Sequence, residues 1–108
     1  MEYNIVVPYD FSEGALNAIR AAIDISSNIS CTVHVVHACS IKETNEERIK
    51  KENELELLHH RFSGKIKLHT QLLEGQTGNV IFNYTEHLKN SVIFISNAEE
   101  VEGKLKEA

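Results

Sequence analysis

Short apolar runs alternate with amphipathic stretches along this chain, and that alternation predicts its elements. Asn4 to Pro8 (NIVVP) is a β-rich run that stops at a proline, as expected for a strand buried on both faces. Ser12 follows as a candidate N-cap, with Glu13 placing a negative charge in the first helical turn. Phe11 before the cap and Leu16 beyond it have the spacing of a hydrophobic staple. Leu16, Ile19 and Ile23, flanked by Ala15 and Ala22, form one helical stripe that fades at Ser26-Ser27-Asn28.

Cys31 to Cys39 (CTVHVVHAC) reads as the second strand. The charged stretch from residue 42 to 62 reads as a solvent-facing loop and helix, docked by Leu55, Leu58 and Phe62. Ile66, Leu68, Thr70 and Leu72 then alternate with Lys65, Lys67, His69 and Gln71. Period two with one polar side predicts an edge strand. Thr77 is a candidate cap for a helix whose stripe is Val80, Ile81, Tyr84 and Leu88. Val92 to Ile95 predicts a fourth strand, buried by its composition, before a charged tail.

The order β-α-β-α-β-α-β predicts an α/β domain spanning residues 1–108: an open parallel sheet with helices on both faces. In such sheets ligands sit beyond the carboxyl ends of the strands, where strand order reverses. Asp10, Ser40 and Ser96 fall just past three of those ends.

Composition narrows the function classes. There are 11 basic and 16 acidic residues, a net charge of −5, and no segment reverses the balance. Nucleic-acid binding needs a basic face, so it is not expected. No apolar run is long enough to span a membrane, and the N-terminus lacks a signal-peptide pattern; the expectation is a cytoplasmic protein. Cys31 and Cys39 lie eight strand steps apart, about 26 Å, too far to pair with each other, so both are expected as buried thiols.

Enzyme signatures fail on spacing. There is no G-x-S-x-G, no Walker phosphate loop, and only Gly14 in the first strand-to-helix turn instead of G-x-G-x-x-G. A phospho-acceptor receiver would need a second acid beside Asp10 and an aspartate ending the third strand, which reads Leu72-Leu73-Glu74. His34 and His37 are three apart on a strand and face opposite sides, and His59-His60 are adjacent. Neither pair has metal-ligand spacing, so neither a metal site nor catalysis is expected.

The segment Ile5-Val6-Val7-Pro8-Tyr9-Asp10-Phe11-Ser12-Glu13, with its Ala- and Ile-rich helix, resembles the opening of the universal stress protein family. Val35-Val36-His37-Ala38 and Leu73-Glu74-Gly75 also fit that family in order and spacing. The resemblance covers residues 3–97. It implies a Rossmann-like sheet in the order 3-2-1-4, with a fifth strand beside the fourth in full-length members. It also implies a cytoplasmic, usually dimeric, stress-related protein. It further implies a candidate site for AMP or ATP between the first and fourth strands. There the residue at Asp10 contacts the adenosine part, and Pro8 and Ala38 line the base pocket.

The sequence departs from the family at the phosphates. The nucleotide-binding branch has G-x-x-G, nine residues, then G-[ST] after the fourth strand. Here Ser96 stands for the first glycine, Glu99 for the second, with Glu100 beside it. Ser96 stays in the candidate site by position. Two carboxylates in place of neutral N–H donors oppose a triphosphate, so no bound cofactor is expected. With no fifth strand, the fourth-strand edge or the tail after it is expected to form a homodimer. A protein partner on the charged 42–56 face is a further candidate.

Overall fold

The computed structural model describes residues 2–94. In chain order the elements are β1 (Tyr3–Pro8), α1 (Glu13–Ser26), β2 (Cys31–Cys39), α2 (Asn45–Phe62), β3 (Lys67–Glu74), α3 (Thr77–Glu86) and β4 (Ser91–Ile93). The four strands form one parallel sheet in the order β3-β2-β1-β4. β2 pairs on both sides and is buried along nearly its whole length, which is why it reads as an unbroken apolar run.

Two unequal layers cover the sheet. On one face Ala18, Ile19 and Ala22 of α1 and Leu55, Leu58 and Phe62 of α2 pack on Ile5, Val7, Val33, Val35 and Leu68. On the other, Val80 and Ile81 of α3 pack on Val6 and Val36, with Tyr84, Leu88, Ala38 and Leu73 around them. The first helix starts on the predicted cap, and α2 on an unpredicted one. Ser12 Oγ accepts the Ala15 N–H at 3.1 Å, and Thr44 Oγ1 accepts the Glu47 N–H at 3.2 Å. Glu46 and Glu47 open α2 and His59, His60 and Arg61 close it, each sign at the favourable end of the helix dipole. Gly75 makes the β3–α3 turn at φ +138°, with its N–H on the Cys39 carbonyl at 2.9 Å.

Two expectations need correction. Gln76, not Thr77, occupies the N-cap of α3, without a capping hydrogen bond from its side chain; Thr77 is already the first helical residue. β4 is not buried: Val92 and Ile93 remain 46% and 43% exposed. Its apolar composition suggested two covered faces, but among the described residues β4 is an edge strand that pairs with β1 through three residues. Cys31 and Cys39 are free and buried, as their spacing required.

Candidate functional site

The sheet reverses its strand order between β1 and β4, and its helices change face there: α1 and α2 lie on one side, α3 on the other. In open α/β sheets ligands bind beyond the carboxyl ends of the strands at such a reversal. Pro8 ends β1, and Tyr9, Asp10 and Phe11 follow it.

Pro8 is in register with Val36. Ala38, two residues further along β2, therefore shares the α3 face with Pro8, and both are half-buried. Asp10 is exposed, and its Oδ1 accepts the Ser12 N–H at 3.0 Å. The carboxylate thus shapes the turn that leads into α1. Between them Phe11 adopts φ +63°, a conformation uncommon for a bulky side chain. Its ring is held edge-on by Tyr9 at 5.0 Å and by His37 at 4.8 Å. Ser96 lies outside the described residues.

His37 and Ala38 are neighbours in sequence but face opposite sides of the sheet. On the α1/α2 side, His37 is 9% exposed and its Nδ1 lies 2.7 Å from the Tyr9 carbonyl. Nδ1–H therefore donates, and Nε2 carries the lone pair, with no hydrogen-bond partner. Burial lowers the His37 pKa; the Tyr9 carbonyl opposes that shift, Lys51 adds to it, and Asp10 opposes it.

A polar cluster surrounds the β2–α2 connection. Lys51 pairs with Oε1 of Glu43, whose side chain is 7% exposed. Arg48 pairs with Glu74 at 3.1 Å, and these contacts tie the start of α2 to the end of β3. Glu74 and, second, Cys39 raise the Arg48 pKa. Sequence reading did not single out this cluster. Strand alternation puts residues 35, 37 and 39 on one face, but the partners come from a helix whose charges read as a solvated surface. Among the described residues no three His, Cys, Asp or Glu side chains could hold a metal ion. Nor is any helix among them long and apolar enough to cross a membrane.

The family model for the universal stress protein family matches residues 1–100. The chain belongs to the universal stress protein family. Its fold is that of solved family members. A universal stress family protein from Burkholderia pseudomallei superposes with a TM-score of 0.76 at 16% identity, covering 96% of this chain and 88% of that one. Universal stress protein UspA from Lactobacillus plantarum gives 0.74 at 16% identity, covering 86% and 75%. No curated protein matches the sequence. At such identities the structural likeness speaks for the fold, and the family match makes this a stress-response type of protein.

Proposed function

We propose that this universal stress protein is a non-enzymatic, cytoplasmic regulator that acts through homodimerisation and contacts with a protein partner, without binding ATP. The observation that carries the reading is the β4 edge. Val92 and Ile93 keep nearly half their surface in water, and β4 pairs only on its β1 side among the described residues. An apolar edge of this kind favours strand addition by another copy. The sequence after β4 supports the absence of ATP, because Ser96, Glu99 and Glu100 stand where the family's phosphate-binding branch has glycines and neutral donors.

The alternative reading is an adenine-nucleotide module. It is favoured by Pro8 and Ala38 sharing one face of the sheet near the end of β1, with Asp10 just beyond that end. A flat base suits small apolar walls, and a carboxylate can accept from an amine or from hydroxyls. AMP, which demands least of a phosphate loop, fits this reading better than ATP. Sedimentation velocity at micromolar protein tests the first reading. A dimer supports it; a monomer at every concentration overturns it.

A further inference from the structure

The α3 side of the sheet holds a hydrogen-bonded chain that neither reading above uses. Asn4 Nδ2 donates to the Lys89 carbonyl at 2.8 Å, in the turn between α3 and β4. This fixes the amide, so Asn4 Oδ1 faces His34 and accepts its Nε2–H at 2.8 Å. His34 Nδ1 then carries the lone pair and accepts the Tyr84 hydroxyl at 2.7 Å. Among neutral rings, only the Nε2–H tautomer with Tyr84 donating satisfies all of these contacts. The chain runs from β1 through β2 to α3 and to the turn before β4.

The groups facing His34 can be named element by element. β1 contributes the neutral Asn4, and α3 contributes the Tyr84 hydroxyl. β3 contributes His69, whose ring stacks on His34 at 5.3 Å and 22°. Two residues earlier on the same face, Glu2 accepts the Thr32 hydroxyl and pairs with Lys67, which balances those charges. No carboxylate among the described residues bonds to His34 to stabilise a positive ring.

The segment this chain secures is thinly held otherwise. Among the described residues, the buried core under α3 is Val6, Val36, Val80 and Ile81, against twelve buried residues on the α1/α2 side. β4 is paired through three residues. Such segments open at lower free energy than the global fold.

We propose that α3 and β4 form an acid-released flap, latched to the sheet by Asn4, His34 and Tyr84. A proton on His34 Nδ1 removes the acceptor of the Tyr84 hydroxyl, which must turn around. It also places a buried charge against the His69 ring. Burial first, and His69 second, lower the His34 pKa. The neutral ring's contribution is therefore complete above about pH 6.5 and is lost as pH falls below it. One unit below the ordinary value, opening is favoured by up to about tenfold.

Amide hydrogen exchange on the full chain at pH 7.5 and 5.5, corrected for intrinsic rates, tests the flap. Protection of α3 and β4 amides should fall up to about tenfold at pH 5.5 relative to those of β2. His69→Gln should shrink that difference. Tyr84→Phe should lower α3 and β4 protection already at pH 7.5 and flatten the acid response. Ring ¹⁵N shifts should show the Nε2–H tautomer of His34 at pH 7.5. An equal pH effect on α3, β4 and β2, or an Nδ1–H or charged His34 at pH 7.5, would overturn the proposal. Should Tyr84→Phe fail to fold, His69→Gln and the ring shifts still decide.

Discussion

Ile93→Pro isolates the outer edge of β4 from its inner one. The Phe94 N–H donates to the Val6 carbonyl at 2.9 Å, and the Asn90 carbonyl accepts the Asn4 N–H at 3.1 Å. Residues 90, 92 and 94 therefore point their backbone groups inward to β1, and Ile93 points its own outward. Proline at 93 removes the outward donor and leaves the β1 ladder intact, a substitution edge strands accept. In a two-fold edge-to-edge dimer each copy loses one inter-chain hydrogen bond. At about 1 kcal/mol net apiece, the pair is worth about 2 kcal/mol, or roughly thirtyfold in the dimer dissociation constant. The ring's bulk against the approaching strand adds to this. Loss of the half-exposed isoleucine side chain should cost the monomer about 1 kcal/mol or less. The assay is sedimentation over a concentration series, beside urea unfolding as a control. Dimerisation at wild-type affinity by a folded Ile93→Pro protein would refute the edge argument.

Other outcomes follow from the same structure. Gly75→Ala should destabilise the fold by about 1–2 kcal/mol in urea, because an L-residue is strained at φ +138° and its Cβ would lie 3.1 Å from Val80 Cγ2. His34 and His37 both have lowered pKa values, chiefly through burial, so the fold binds fewer protons than the unfolded chain. Stability should be flat above about pH 7 and decline below about pH 6.5; a rise in the urea midpoint on acidification from 6.5 would contradict this.

Much of the fold was legible because each element carries its own signal. The alternation in Lys65–Leu72 marked an edge strand, and Lys67, His69 and Gln71 are indeed exposed while Leu68 is buried. The unbroken run in Cys31–Cys39 marked a strand, and the structure places it inside the sheet, paired on both sides. The same logic failed at β4, where composition reports affinity for a core and not whether a neighbour supplies one. Of the candidate residues, Asp10 was readable by its position past a strand end, whereas Pro8 and Ala38 came only from the family resemblance. The Asn4–His34–Tyr84 chain was not, since it joins residues thirty and fifty positions apart through three elements. Strand alternation showed only that His34 and His37 face opposite sides of the sheet.

We propose that this universal stress protein works without ATP. Isothermal titration of the purified chain with Mg-ATP, and separately with AMP, tests this most directly. No heat of binding is expected up to millimolar ligand. Micromolar binding of either nucleotide, abolished by Asp10→Ala, would contradict the proposal and restore the ends of β1 and β4 as a nucleotide site.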